Sequence, residues 1–248
     1  MQKLTKLKRL RLLGRCFKWY NHSMYELTKE EIEIQRTPKE HIDWVLSTFN
    51  KYDGSHEETV YARNRSTDEL KVLFEESYPL LKLCEIYLEK DVILKQVVGN
   101  QSHDVIVSNS EEIKFIEITQ AINGYSEKLR MIKLNEDGHV SASNPVYTIR
   151  RHGVTQIDIG YDIPEGMEAV EVRGLTVLIE EVVRKKVAIG YPDKTVLLIA
   201  FDNAIQSSIC VDIADLEYFM EETIAPLVKD NFVAIVLVGL SGSYYYKV

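Results

Sequence analysis

Two short apolar runs separated by a polar turn, within residues 103–120, constrain the fold of this chain more than any other feature. The stretch reads HDVIVSNSEEIKFIEITQ. A polar turn such as Ser108-Asn109-Ser110 between β-branched runs is typical of two antiparallel strands. Each run also carries one carboxylate, Asp104 at the start of the first and Glu117 inside the second. A carboxylate within an apolar strand is costly to bury unless something pairs with it, and a metal ion is one such partner.

The size and composition of the chain are those of a soluble globular protein. Its 248 residues suffice for one large domain or two small ones, and 45% hydrophobic and 27% charged residues are ordinary values. No apolar run is long enough to span a bilayer. Because Cys16, Cys84 and Cys210 are too far apart in sequence for a CxxC zinc site, we expect a reducing, cytoplasmic location.

The charge is divided unevenly along the chain. Residues 1–18 contain seven lysines and arginines and no acid, whereas the whole chain carries −8, so the remaining 230 residues carry −15. A basic arm on an acidic body can bind nucleic acid or an anionic membrane surface, or neutralise a partner subunit in a homo-oligomer. The alternative is that Met24 is the true start and that the arm is an upstream artefact or a disordered tail. We expect a basic arm at residues 1–23 and a single α/β domain at residues 24–248.

The first half of the chain predicts helices followed by strands. A capping box at residues 37–40, with Pro38 at the first helical position, begins one helix. A second helix begins at residues 66–69, and Pro79 should kink or restart it. Strands are expected at residues 92–98, 104–107 and 113–119. Because the turns between them are short, we expect an antiparallel meander.

The second half predicts strands that run parallel to one another. A helix at residues 175–187, a buried strand at 195–200, a helix at 212–228 and a strand at 232–240 follow in order. A strand–helix–strand order implies parallel pairing through a right-handed crossover. We interpret residues 121–170 as an insertion with one or more hairpins. The predicted class is therefore α/β, a mixed sheet with helices on both faces.

The order αβββαβ, with Asp104 on the second strand and Glu117 on the third, resembles the PD-(D/E)XK nuclease superfamily. That superfamily has the restriction-endonuclease-like fold, and here an extra C-terminal helix and strand follow the core. The resemblance covers roughly residues 66–240. It implies that Asp104 and Glu117 bind one or two divalent metal ions, Mg²⁺ or Mn²⁺. A backbone carbonyl such as that of Ile118 would complete the protein ligands.

Thr119 departs from the family pattern, which has a lysine two residues after the glutamate to position or activate water. Threonine cannot supply a positive charge. The helix predicted at residues 175–187 offers a replacement, because Lys186 falls at the middle of its apolar stripe when residues advance by about 100° each. That stripe consists of Leu175, Ile179 and Val182. We expect Lys186 to reach the carboxylates; the alternative is a lysine at a frayed helix end that extends into water.

The family often has a glutamate on the first helix, and the candidates here are Glu75, Glu76, Glu85 and Glu89. We expect Glu85 to face the sheet, because it borders the apolar stripe of that helix, whereas Glu76 lies well off the stripe. The stripe consists of Leu81, Cys84 and Leu88. The alternative for each glutamate is a solvated helix face. Gln120, at the end of the third strand, is a further candidate for a phosphate contact.

The resemblance implies Mg²⁺-dependent hydrolysis of phosphodiester bonds in DNA or RNA, with Asp104, Glu117, Lys186 and Glu85 as the catalytic set. The alternative is a catalytically inactive nuclease-fold module for binding or assembly, such as a phage, defence or immunity component. Thr119 and the acidic body favour this alternative, because an acidic surface binds a polyanion poorly. The tyrosines at residues 244–246 are expected to pack against the sheet edge or a partner subunit rather than to stack bases.

Overall fold

A six-stranded mixed sheet with helices on both faces forms the centre of the structure. The computed structural model describes residues 25–99, 101–138, 146–151, 154–159, 167–201, 213–228, 231–240 and 244–248. The predicted basic arm lies outside these residues, as do Cys16 and Cys210. Cys84 is a buried, free thiol. No helix within the described ranges is long and apolar enough to cross a membrane.

Helices and strands alternate along the chain in the order that the sequence predicts, with additions. The helices are α1 (Lys29–Ile32), α2 (Pro38–Lys51), α3 (His56–Arg63), α4 (Asp68–Val72), α5 (Tyr78–Ile86), α6 (Gly124–Asp137), α7 (Met167–Ile189), α8 (Ile213–Phe219) and α9 (Ala225–Val228). The strands are β1 (Ile93–Gln96), β2 (Val105–Ser108), β3 (Phe115–Gln120), β4 (Val146–Arg151), β5 (Val154–Ile159), β6 (Thr195–Phe201), β7 (Ala234–Gly239) and β8 (Tyr245–Lys247). Two π-helical segments, Leu73–Ser77 and Met220–Ile224, join α4 to α5 and α8 to α9.

The strand order in the large sheet is β1-β2-β3-β6-β7-β8. The first three strands pair antiparallel, which confirms the predicted meander. β6 and β7 pair parallel, as the C-terminal strand–helix–strand order predicts. β3 also pairs parallel with β6, which joins the meander to the C-terminal strands. β8 closes the sheet antiparallel to β7, so Tyr245 and Tyr246 belong to its edge strand and Tyr244 directly precedes it. A separate β4–β5 hairpin confirms the predicted hairpin in the insertion.

The two faces of the sheet bury different helices. On one face, Leu80 and Leu83 of α5 pack against Val196 and Leu198 of β6. On the other, α7, α8 and the second π-helical segment pack against the alternate residues of β6, including Leu197. Side chains at paired positions of parallel strands point to the same face. Glu117 pairs with Leu197, so Glu117 lies on the α7 face.

Three helices, α1, α3 and α6, differ from the sequence prediction, which begins its first helix at residues 37–40. α3 was not predicted, and it begins at the Ser55 side chain, which accepts a hydrogen bond from the Glu58 N–H. α6 occupies a region that was interpreted as turns and hairpins. Asn123, interpreted as part of a turn, caps α6 by accepting from the backbone N–H groups of Tyr125 and Ser126, both at 3.1 Å. Turn and helix-cap residues are the same types, so the local signal is ambiguous.

Candidate functional site

Glu117 lies in the middle of β3 and is buried, with 5% of its surface exposed. Its Oε1 atom forms an ion pair with Lys186 Nζ from α7, so Lys186 reaches the carboxylate as its place on the helix predicts. The Tyr191 hydroxyl donates a second hydrogen bond to the same oxygen, at 3.2 Å. Burial and the charge of Glu117 raise the pKa of Tyr191, so its hydroxyl keeps its proton and remains a donor. Both donors bind Oε1, which leaves Oε2 for a further ligand.

Asp104 is fixed beside Glu117 by hydrogen bonds to the residues on either side of it. The Asp104 N–H donates to the Ile116 carbonyl at 3.0 Å, and Asp104 Oδ2 accepts from the Ile118 N–H at 2.7 Å. Burial, and then the negative charge of Glu117, raise the pKa of Asp104 to about 7. The Ile118 N–H and Lys186 oppose this rise. The two sequence-predicted carboxylates therefore form one electrostatic unit with Lys186.

A third carboxylate, Glu76, joins this unit from the first π-helical segment. Burial raises its pKa to about 8, and the charges of Asp104, Glu117 and Glu75 add to the rise. Lys186 acts in the opposite direction on the same group. Glu76 is therefore the glutamate of the first helix that lies with the others.

Glu85 does not lie with these carboxylates, which corrects the sequence-based choice. Its side chain is 41% exposed and forms a surface ion pair with Lys82 at 3.0 Å. The choice compared Glu76 with the stripe of Leu81, Cys84 and Leu88 at regular helical spacing, across the interruption expected at Pro79. The π-helical segment Leu73–Ser77 interrupts that spacing, because a π turn bonds residue i to i+5 and rotates the preceding residues relative to the following stripe.

Side chains from three other elements hold the π-helical segment in place. His41 of α2 donates from Nε2 to the Ser77 carbonyl at 3.0 Å. The Ser77 hydroxyl donates to Gln96 Oε1 of β1 at 2.8 Å. Gln120 donates from its amide to the Phe74 and Glu75 carbonyls at 3.3 and 3.4 Å. These bonds satisfy carbonyl groups that a π turn displaces from the regular helical ladder, and they fix the backbone on either side of Glu76.

A cleft of about 700 Å³ opens beside Glu76. Its walls are the α3–α4 turn, the π-helical segment, the end of β3 and α6. Thr119 and Gln120 line it, so the residue two positions after Glu117 faces this cleft. Glu76 belongs both to the carboxylate unit and to the cleft wall, and it connects the two.

The chemistry of these donors fits a hard divalent cation. Three carboxylates interact with one lysine, and the excess negative charge is one reason that two of the pKa values rise. Magnesium takes a small number of carboxylates and keeps several waters, whereas structural zinc requires nitrogen or sulfur ligands that this unit lacks. Over the described ranges, no group of three or more histidine, cysteine or acidic side chains is already arranged around a metal position.

Two members of the site were not predicted. Glu76 was a candidate but was set aside, and the signal that could have identified it is Pro79, which marks an interruption in the helix. Tyr191 follows α7 in a loop, and no local pattern distinguishes it from the other tyrosines. In comparisons with known proteins, no family model, curated protein or solved structure matches this chain.

Proposed function

We propose that this protein is a divalent-metal-dependent phosphodiesterase that hydrolyses nucleic acid, with a site of the PD-(D/E)XK type. Asp104 and Glu117 would bind Mg²⁺ or Mn²⁺, and Lys186 would supply the charge that the family pattern places at position 119. One observation carries the proposal. Lys186 contacts Glu117 across the sheet–helix interface, beside Asp104, although the two residues are far apart in sequence.

Each residue has a distinct part in the proposed reaction. A bound divalent ion neutralises charge on the phosphoryl oxygens and lowers the pKa of a water molecule. Tyr191 and the Ile118 N–H hold Glu117 Oε1 and Asp104 Oδ2, which orients both carboxylates before a substrate arrives. Lys186 Nζ would bind a phosphate oxygen. Glu76 has a pKa near 8, so near neutral pH its carboxyl group holds a proton that it can give to a leaving oxygen.

Activity on labelled DNA and RNA with Mg²⁺ or Mn²⁺ tests the proposal. The wild type should cleave. The cleavage rates of Asp104→Asn, Glu117→Gln and Lys186→Ala should be lower by at least about 100-fold, the effect expected for groups that act on transition-state charge. The matched controls are Lys185→Ala, on the exposed side of α7, and Glu85→Gln, outside the site. Both controls should cleave like the wild type. Absence of cleavage by the wild type on every substrate, or equal activity of all variants, would overturn the proposal.

A second candidate function is a non-catalytic binding or assembly module built on the same fold. The ion pair itself favours it, because Lys186 already neutralises Glu117 without a metal. Isothermal titration with Mn²⁺ separates the two functions. Binding to the wild type that disappears in Asp104→Asn supports the metal site. No binding to the wild type supports the module.

For location, we propose the cytoplasm. The three cysteines are widely spaced in sequence, and the one in the described structure, Cys84, is a buried free thiol. A buried free thiol is typical of a reducing compartment.

A further inference from the structure

Within the described part of the chain, the cleft beside Glu76 carries two positive charges that form no ion pair. Arg65 is paired with Glu75 at 2.6 Å and lies 4.0 Å from Glu127. Arg63 and Lys128 also line the cleft, and neither has an ion-pair partner within the described structure. Arg63 ends α3 and Lys128 belongs to α6, so the two cations come from different elements that line the cleft. This arrangement favours an anionic ligand in the outer part of the cleft.

The cleft also has an apolar wall. Ile122, Met131 and Ile132 line it from the β3–α6 connection and α6. A surface of this kind can contact the flat face of a base or the carbon atoms of a sugar. Two cations together with an apolar patch suit a ligand that alternates phosphates with less polar groups, as a nucleic acid strand does.

The size of the cleft restricts what can enter. A volume of about 700 Å³ is that of a small-molecule site, enough for one or two nucleotides and too small for a duplex. A strand in this cleft would lie beside Glu76, which also interacts with Asp104 and Glu117. The cleft therefore leads from Arg63 and Lys128 to the carboxylate unit.

We propose that this cleft is the substrate-binding groove and that it takes a single strand of nucleic acid, with phosphates at Arg63 and Lys128 and a base against Met131. This inference rests on the proposed function for the class of substrate. It adds that single strands, frayed ends or unpaired loops are bound, and that a fully paired duplex is not.

Strand binding without cleavage tests this groove directly. Fluorescence anisotropy of labelled nine-nucleotide oligo-dT and oligo-U, in the presence of EDTA, measures affinity when no metal is available. The Arg63→Ala/Lys128→Ala double variant should bind at least tenfold more weakly. Its slope of log affinity against log salt should be smaller by about 1.4, the value for two lost phosphate contacts on a single strand. The charge-matched control is Lys39→Ala/Lys90→Ala, since both lysines are exposed and outside the cleft.

The outcomes separate this inference from the proposed function. Wild-type affinity in Arg63→Ala/Lys128→Ala, with an unchanged urea unfolding curve, overturns the groove. The groove is also overturned if an unlabelled blunt duplex displaces the labelled oligonucleotide as effectively as an unlabelled single strand does. Strand binding by a wild type that never cleaves with metal would support the groove and overturn the nuclease. Cleavage with a KM that the double variant does not change would support the nuclease and overturn the groove.

Discussion

Lys186 near the end of α7 and Glu117 in the middle of β3 form an ion pair on one face of the sheet, and the Tyr191 hydroxyl shares the same carboxylate oxygen. The carboxylate is almost fully buried, whereas the lysine side chain is 23% exposed. Burying a carboxylate without a partner is costly, and a partner that reaches water reduces that cost. The contact therefore contributes to stability and also places a cation beside Asp104.

Replacing Lys186 with methionine should destabilise the fold, because Glu117 would remain buried without its counter-charge. We expect Lys186→Met to lose about 2–3 kcal/mol of unfolding free energy at pH 7, below the range for fully buried pairs because the lysine is partly exposed. Urea denaturation measures this change. The double variant Lys186→Met/Glu117→Gln should recover part of the loss, since no charge is then left unpaired.

Lys185→Met is the matched control, because its side chain is exposed and one position away on the same helix. It should change the unfolding free energy by less than about 0.5 kcal/mol. An unfolding midpoint of Lys186→Met that equals that of the wild type would show that the ion pair does not contribute to stability.

Glu76 should make the protein less stable as the pH rises. Its pKa is raised from 4.5 to about 8, so the folded protein holds a proton that the unfolded chain releases at much lower pH. Stability therefore falls between about pH 4.5 and pH 8. Glu76→Gln cannot ionise and should not show this fall. Relative to the wild type, it should gain about 3 kcal/mol of unfolding free energy on going from pH 5 to pH 8.

The measurement for Glu76 is a series of urea unfolding curves from pH 5 to pH 8.5. Glu85→Gln serves as the control, since Glu85 forms only an exposed ion pair with Lys82. Its difference from the wild type should stay small and constant over this range. A constant difference for Glu76→Gln as well would mean that Glu76 ionises normally in the folded state.

The sheet and the position of Lys186 could be predicted because both depend on regular spacing. The alternating and apolar runs predict strands at β1 to β3, β6 and β7. Short turns predict the antiparallel pairing of β1 to β3, and the long crossover predicts the parallel pairing of β6 and β7. A stripe at helical spacing gave the side of α7 that faces the sheet. Because Glu117 lies opposite that stripe, the contact with Lys186 followed from two local patterns.

Glu76 and Tyr191 could not be placed by the same reasoning. Glu76 lies in a π turn. The extra residue in such a turn rotates the preceding side chains to another face of the helix, relative to the residues that follow. The bonds that maintain this turn come from His41 and Gln120, which are 36 and 46 residues away from the carbonyls of Ser77 and Phe74. Tyr191 reaches Glu117 from a loop whose course is set by tertiary packing against Phe232.

His41 should make the fold sensitive to acid. It is buried, and burial lowers its pKa from 6.5 to about 4, so it is neutral in the folded protein and donates to the Ser77 carbonyl. The unfolded chain takes up a proton near pH 6.5. The stability that the folded state has with a neutral His41 is therefore complete above that pH and is lost as the pH falls towards 4. His41→Gln has no ionisable group at this position. Between pH 7 and pH 4, its unfolding free energy should therefore fall by about 3 kcal/mol less than that of the wild type.

Unfolding free energies of wild type, His41→Gln and the exposed control His56→Gln, at pH 7 and near pH 4, measure this effect. At pH 7, His41→Gln should itself be destabilised by about 1–3 kcal/mol, because the Ser77 carbonyl loses a well-placed donor. If His56→Gln removed as much of the acid sensitivity as His41→Gln, the loss would not come from the buried ring.

Metal binding should release protons, because a carboxylate must be ionised to bind a cation. The pKa of Asp104 is raised to about 7, so this proposed ligand carries a proton in part at pH 6.5. Mn²⁺ affinity should therefore rise with pH, by up to about tenfold per unit below pH 7 for one released proton, and level off above pH 8. Titration calorimetry in two buffers of different ionisation enthalpy counts the protons directly. Wild type should release more protons at pH 6.5 than at pH 8.5. Binding of Mn²⁺ with no proton release at pH 6.5 would place the metal away from this carboxylate.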